Sequence, residues 1–203
     1  ESARTYISKG LLKRARQIAR KNVSVLEPLI TEEVPLVGME PSAILGFRDE
    51  FPELVGADLA KQAKALAAFC FTLEEYLVQL YEKGGFDSSL FTRESRRLKL
   101  HGHCQQKAIA STAPIIHLLS IPENYQVSEI PSGCCGMAGS FGYEKEHFDL
   151  SMKVGELVLF PAVREASEHM LIAAPGTSCR HQIYDGTGKQ ALHPVEILYN
   201  ALV

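Results

Sequence analysis

The hydrophobic and polar positions in the first half of the chain predict helices with one short strand between them. Residues 10–21 repeat apolar side chains at helical spacing and carry Lys and Arg on the other face. Residues 34–38 are typical of a short buried strand, and Pro41 suits the first turn of a following helix. Residues 57–83 predict a helix in two pieces, broken near Thr72 and ended by Gly84.

The second half alternates strand and helix patterns. Strands are predicted at 97–101, 125–130 and 170–174, and helices at 106–119, 144–160, 180–184 and 195–201. Pro161 marks a new turn or helix, and His193 follows a further predicted strand end. Such alternation predicts an α/β fold with a parallel sheet flanked by helices on both faces.

Four of the five cysteines come directly after predicted strands. They are Cys104, the adjacent Cys134 and Cys135, and Cys179. The carboxyl ends of parallel strands share one edge of the sheet, where α/β folds place their sites. We therefore expect these four thiols to meet in one crevice. Cys70 lies in an apolar stretch and is interpreted as a small core residue.

Glycine recurs at every third position around the cysteine pair, at Gly133, Gly136, Gly139 and Gly142. Glycine permits unusual backbone angles and lets amide N–H groups approach a bulky anion such as an iron–sulfur cluster. Two adjacent cysteines fill the turn that would face a phosphate, so this loop is not interpreted as a dinucleotide-binding fingerprint.

Composition and charge argue against several classes of function. Apolar residues make up 46% and charged residues 22%, as in globular proteins, and the net charge of −3 gives no general attraction to nucleic acid. No apolar run approaches the roughly 20 residues of a transmembrane segment, and no signal peptide is evident. An odd number of cysteines argues against a secreted disulfide scaffold and favours a reducing, cytoplasmic compartment.

The thiol pattern leaves three kinds of chemistry open. A 4Fe–4S cluster that carries electrons is favoured, but four thiolates also bind zinc, and an adjacent cysteine pair can perform thiol–disulfide exchange. His101, His103 and His181 flank the cysteines, either as metal ligands or as hydrogen-bonding neighbours of the site. Lys107 and Arg180 could offset the negative charge of a cluster.

Three short segments make the iron–sulfur interpretation more specific. Residues 103–107 (HCQQK), 133–139 (GCCGMAG) and 176–183 (GTSCRHQI), with 38–42 and 47–50, resemble the cysteine-rich CCG domain. That domain occurs in heterodisulfide reductase and in the iron–sulfur subunits of glycolate oxidase and anaerobic glycerol-3-phosphate dehydrogenase. The similarity is greatest to the C-terminal part of multidomain FAD-linked D-2-hydroxyacid dehydrogenases.

The resemblance implies two pseudo-repeated halves, 1–94 without a cluster and 95–203 with the cysteine site. It implies metal ligation by Cys104, Cys134, Cys135 and Cys179, surrounded by Gly133, Gly136, Gly139, His103, His181 and Arg180. It further implies electron transfer from an FAD bound elsewhere, in a flavoprotein domain or subunit, to an acceptor such as quinone. The expected location is the cytoplasm, including peripheral association with the inner face of the membrane. The chain alone is not expected to turn over a hydroxy acid.

Two positions depart from the family pattern. Gln182 stands where the fuller motif has a fifth cysteine, which favours an ordinary four-thiolate cube over a five-cysteine noncubane cluster. In the first half, Ala43 stands in the place that corresponds to Cys179, so no cluster is expected there. The resemblance also implies that the first half's Cys-Cys-Gly loop would precede Glu1.

Overall fold

A computed structural model describes residues 1–203, which divide into two compact units, Glu1–Leu73 and Glu74–Val203. The first unit contains helices α1 (Arg4–Ser8) and α2 (Leu12–Leu26), strand β1 (Leu36–Gly38), and helices α3 (Pro41–Ile44), α4 (Glu50–Leu54) and α5 (Ala60–Ala67). It ends with strand β2 (Cys70–Thr72), which pairs with β1 in parallel.

The second unit follows the order of an α/β fold. Its elements are α6 (Leu73–Glu82), β3 (Arg96–Leu100), α7 (Cys104–Ile109), α8 (Ala113–Leu119), β4 (Tyr125–Glu129), α9 (Phe148–Glu156), α10 (Leu159–Arg164), β5 (Leu171–Ala173), α11 (Thr177–Thr187), β6 (Ala191–Leu192) and α12 (Pro194–Tyr199). Short 3-10 helices lie at Leu45–Phe47, Ser88–Leu90, Phe141–Tyr143 and Lys145–His147.

The sheet of the second unit is entirely parallel, in the order β4-β3-β5-β6. Leu98 of β3 lies opposite Val127 of β4 on one side and Leu171 of β5 on the other. The predicted α/β class, with a parallel sheet flanked by helices, is confirmed.

Neighbouring residues of β5 show that both faces of this sheet are covered. Ala173 packs in a core cluster with Leu98, Leu100, Ile115 of α8 and Ile197 of α12. Ile172 packs in another with Leu159 and Phe160 of α10 and Ile183 of α11. Side chains of a strand alternate between its faces, so helices cover both. Cys135 and Cys179 belong to the second cluster, on the α9–α10–α11 face.

Three helix predictions were wrong in detail. The two helices and the break predicted near Thr72 are present, but the break contains strand β2, in which Cys70 and Thr72 are buried and pair with β1. The helix predicted at 106–119 is two helices, since Pro114 in the first turn of α8 cannot continue α7. The helix predicted at 144–160 divides into a 3-10 turn, α9 and the start of α10. No helix is both long and apolar enough to cross a bilayer.

Candidate metal centre

The four predicted cysteines all lie at the carboxyl edge of the sheet. Cys104 opens α7 four residues after β3, Cys134 and Cys135 follow β4, and Cys179 lies in the first turn of α11 after β5. These three strands are parallel neighbours, so the segments that follow them emerge together. The topology brings residues from distant parts of the chain to one place.

The thiols form a continuous chain of contacts. Cys104 is hydrogen-bonded to Cys134, Cys134 to Cys135, and Cys135 to Cys179. Cys135 and Cys179 are buried, whereas Cys104 and Cys134 are partly exposed, and none is in a disulfide. The chain of sulfurs therefore runs from the surface into the interior.

Hydrogen bonding divides the four thiols into proton donors and acceptors. The pKa values of Cys134 and Cys179 lie well below the usual range, because each accepts hydrogen bonds from neighbouring thiols. The pKa values of Cys104 and Cys135 are raised, first by donating to those thiolates and then by burial. Thiolates are the form that binds metals, so the lowered pKa values of Cys134 and Cys179 favour cation binding.

The glycine loop holds the cysteine pair by its backbone. The Gly136 N–H donates to Cys134 Sγ at 3.3 Å, and Gly136 has a φ of +107°. A β-carbon at Gly136 would lie 2.2 Å from the carbonyl oxygen of Ser151. Only glycine allows both this backbone angle and this close approach. Gly139 also has a positive φ, whereas Gly133 does not and has open space around it.

Two further residues, Ser151 and Gln182, stabilise the loop. The sequence patterns did not assign this role to either of them. Ser151 of α9 donates its hydroxyl to the Gly136 carbonyl at 3.0 Å. Gln182 of α11 donates its amide to Ser151 O at 3.1 Å and to Ser151 Oγ at 2.9 Å. Gln182 therefore supports the loop through Ser151. No local pattern could have revealed Ser151.

The three flanking histidines lie in different environments. His101 is fully buried, and one of its ring nitrogens lies with the sulfurs of Cys135 and Cys179 in a group whose members are all within 4.8 Å of one another. His103 is buried and packs against Gly176 beside Cys179. His181 is exposed, and its Nδ1 is 2.9 Å from the hydroxyl of Tyr143.

The two flanking cations bind backbone oxygens around the crevice. Arg180 Nη1 donates to the carbonyls of Ala174 and Pro175 at 2.9 and 2.7 Å, and Lys107 Nζ donates to the carbonyl of Ser132. Both side chains thus stabilise the loops that follow the strands near the thiols. The donor set of soft sulfurs with a buried imidazole fits zinc or iron.

The first unit has a similar local arrangement without donors. Ala43 lies in α3 after β1, as Cys179 lies in α11 after β5. Its lone cysteine, Cys70, is fully buried and donates to the Leu66 carbonyl at 3.2 Å. Burial raises the pKa of Cys70 to about 12, which opposes the thiolate form.

Comparison with known proteins finds partial similarity to dehydrogenases. The chain is 27% identical to D-2-hydroxyglutarate dehydrogenase of Escherichia coli K12 over 191 residues, 94% of this chain and 18% of that protein. It is 28% identical to the Haemophilus influenzae protein of the same name over 199 residues, 96% of this chain and 19% of that protein.

Similarity of the same degree extends to another dehydrogenase. One subunit of the anaerobic glycerol-3-phosphate dehydrogenase of Escherichia coli K12 is 26% identical over 199 residues, 97% of this chain and 48% of that polypeptide. The chain thus spans about a fifth of the first two relatives and about half of the third. No family model and no solved structure matches the chain.

Proposed function

We propose that this chain is an iron–sulfur electron-transfer domain of the CCG type, belonging to an FAD-linked 2-hydroxyacid oxidoreductase. The observation that carries the proposal is the convergence of Cys104, Cys134, Cys135 and Cys179 at one sheet edge. The partial similarity to D-2-hydroxyglutarate dehydrogenases and to one polypeptide of a glycerol-3-phosphate dehydrogenase supports the oxidoreductase class.

The four thiolates would hold the cluster, and the chain's own groups would shape its surroundings. A bound 4Fe–4S cluster accepts and releases single electrons. The Gly136 N–H already donates to a thiol sulfur, and hydrogen bonds to sulfur tune the potential of such a centre. Buried Cys135 and Cys179 exclude water on one side, and partly exposed Cys104 and Cys134 leave the other side open to a redox partner.

The remaining parts of the oxidoreductase are assigned to other domains or subunits. Oxidation of a 2-hydroxy acid delivers two electrons to FAD, and this domain would relay them one at a time to an acceptor such as quinone. We place FAD in a flavoprotein partner and the protein in the cytoplasm, including peripheral contact with the membrane. Residues 1–94 would be a companion half-repeat without a cluster, and 95–203 the half that carries it.

Anaerobic reconstitution with iron and sulfide tests the proposal. We expect a broad visible absorption band that dithionite bleaches, with iron and acid-labile sulfide in equal amounts. Replacing any one of the four site cysteines by Ser should abolish or markedly reduce iron uptake. Cys70→Ser is the matched control, since Cys70 lies in the first unit, and should retain the cluster. Equal iron incorporation in all five variants would contradict the assignment.

A zinc site on the same donors is the second candidate, favoured by the compact group of His101, Cys135 and Cys179. Zinc binds such donors tightly and without colour. Aerobically purified protein is expected to have an empty, disulfide-linked or zinc-filled site. If iron and sulfide never produce a chromophore while zinc binds stoichiometrically, the site is a zinc site and the electron-transfer function is wrong.

A further inference from the structure

Besides the four thiols, the crevice contains a buried group that can bind a metal, the imidazole of His101. Its backbone N–H donates to the Ala173 carbonyl at 2.8 Å, which fixes the end of β3 beside β5. Its Nδ1 lies 2.7 Å from the hydroxyl of Ser132, which is itself buried. The first contact thus fixes the backbone of His101, and the second orients its ring.

The Ser132 contact determines which ring nitrogen is available. The Ser132 hydroxyl lies 3.5 Å from the Ile130 carbonyl and can donate to it. Its oxygen then accepts the proton on His101 Nδ1, and this assignment leaves a lone pair on Nε2. Histidines that bind metals ordinarily donate their other ring N–H to an oxygen in this way.

The free nitrogen faces the two deepest thiols. His101 Nε2 is buried and makes no hydrogen bond, and a nitrogen of the His101 ring lies within 4.8 Å of the sulfurs of both Cys135 and Cys179. A buried polar atom without a hydrogen-bond partner destabilises the fold. Coordination of a cation held by Cys135 and Cys179 would remove this penalty.

The other polar groups near the thiols are not placed as His101 is, beside both Cys135 and Cys179. His181 is exposed and bonded to Tyr143, and Gln182 donates to Ser151. His103 is buried, and its Nδ1 also has no hydrogen bond, but its ring lies outside the close group formed by His101 and the two thiols.

We propose that His101 Nε2 is a direct metal ligand, alongside Cys135 and Cys179, in a mixed thiolate–imidazole centre. This inference rests on the metal centre of the proposed function and changes its donor set. A single tetrahedral ion takes His101, Cys135 and Cys179, with the fourth ligand from Cys134, which contacts Cys135. A cluster takes His101 as a fifth donor beside the four thiols.

X-ray absorption of the zinc-loaded protein tests the assignment directly. We expect one nitrogen at about 2.0–2.1 Å beside three sulfurs at about 2.3 Å. A shell of four sulfurs without nitrogen would overturn the proposal. The measurement needs only zinc and purified chain, so its result does not depend on whether an iron–sulfur cluster forms.

Variants of His101 separate coordination from a purely structural role. His101→Asn keeps a group at the Nδ1 position for Ser132 and removes Nε2, and should weaken zinc binding more than about tenfold. His101→Cys supplies another metal donor and should restore zinc affinity, and His181→Ala should leave it unchanged. Thermal unfolding of each metal-free variant identifies any that fail to fold. If His101→Asn binds zinc as tightly as the parent, or if Cys fails to rescue a folded protein, the inference is wrong.

The same ligand can be sought on the cluster. In reconstituted, reduced protein labelled with ¹⁵N-histidine, pulsed EPR should detect one strongly coupled imidazole nitrogen that disappears in His101→Asn. A cluster that forms without this coupling would leave electron transfer standing and overturn His101 ligation on it. A chain that binds zinc through nitrogen but never assembles a cluster would support His101 ligation and overturn the electron-transfer function.

Discussion

Two buried cysteines have pKa values that are shifted in opposite directions, because their surroundings differ. Cys70 is surrounded by apolar groups, and its pKa rises to about 12. Cys179 is equally buried, yet the hydrogen bond that its sulfur accepts from Cys135 holds its pKa below the usual range. Burial alone favours the neutral thiol, so the difference arises from the donors around Cys179.

Cys70 should make the folded chain more sensitive to alkali. Between about pH 9 and pH 12 the unfolded chain loses this thiol proton, with an ordinary pKa of about 9, while the folded chain keeps it. Stability is therefore fully present below about pH 9 and decreases as pH rises towards 12. Urea unfolding at pH 8 and pH 10.5 should show a loss from this thiol of about 2 kcal/mol. Cys70→Ala should lack that part of the loss, and identical pH dependence in the two proteins would contradict the prediction.

At the scale of elements, the loop after β4 depends on a glycine that no side chain can replace. Gly136→Ala places a β-carbon 2.2 Å from Ser151 O at a φ of +107°. The strain and overlap should destabilise the protein by about 2–4 kcal/mol and weaken metal binding. The matched control is Gly133→Ala in the same loop, where nothing lies within 4 Å and the change should be within about 0.5 kcal/mol. Chemical unfolding measures both, and equal costs would contradict this account.

A buried carboxylate–imidazole pair joins α6 to the carboxyl end of β6. Glu74 Oε1 lies 3.4 Å from Nε2 of His193, and the two side chains are 0% and 4% exposed. His193 Nδ1 accepts the Val195 N–H, so the ring proton lies on the nitrogen that faces Glu74.

Neutralising the buried carboxylate should therefore be costly. Glu74→Gln is expected to lower the free energy of unfolding by about 2 kcal/mol, because the attraction between a buried carboxylate and the imidazole is lost where water cannot compensate. Glu82→Gln removes a surface partner of His117 at 3.9 Å, where both groups are largely exposed, and should cost less than about 1 kcal/mol. Urea unfolding compares the two, and a Glu82 effect as large as the Glu74 effect would refute the prediction.

At the scale of the whole molecule, metal binding should stabilise one unit selectively. Every proposed donor lies between His101 and Cys179, within the unit Glu74–Val203. A cation that binds only the folded state at a free concentration 100 times its Kd contributes about 2.7 kcal/mol. Hydrogen exchange with and without zinc should show added protection in β3, β5 and α11, and little change in α2. A Cys135→Ser, Cys179→Ser double variant should lose the effect, and uniform protection of both units would argue against a site confined to the second.

The chain alone should oxidise no 2-hydroxy acid, since the proposal assigns FAD to a partner. D-Lactate and D-2-hydroxyglutarate, tested with an artificial electron acceptor, should give no turnover until a flavoprotein is added. Substrate oxidation by the isolated, flavin-free chain would show that the catalytic site has been placed wrongly.

The sequence by itself determined the α/β class and the candidate thiols, because both depend on local order along the chain. Alternating strand and helix patterns predicted a parallel sheet, and a cysteine directly after a parallel strand must lie at its carboxyl edge. The special role of Gly136 was indicated by the glycine repeat, although the repeat alone could not distinguish it from Gly133.

Only the tertiary structure decided which neighbours complete the site. Strand β2 escaped prediction because its pairing with β1 outweighs the helical pattern around Cys70. His101, His103 and His181 look equivalent as flanking histidines, but the pairing of β3 with β5 buries His101 beside Cys179, and the exposed face of α11 leaves His181 outside. Proximity between residues 78 positions apart depends on how strands pair and helices pack, and no local pattern encodes that distance.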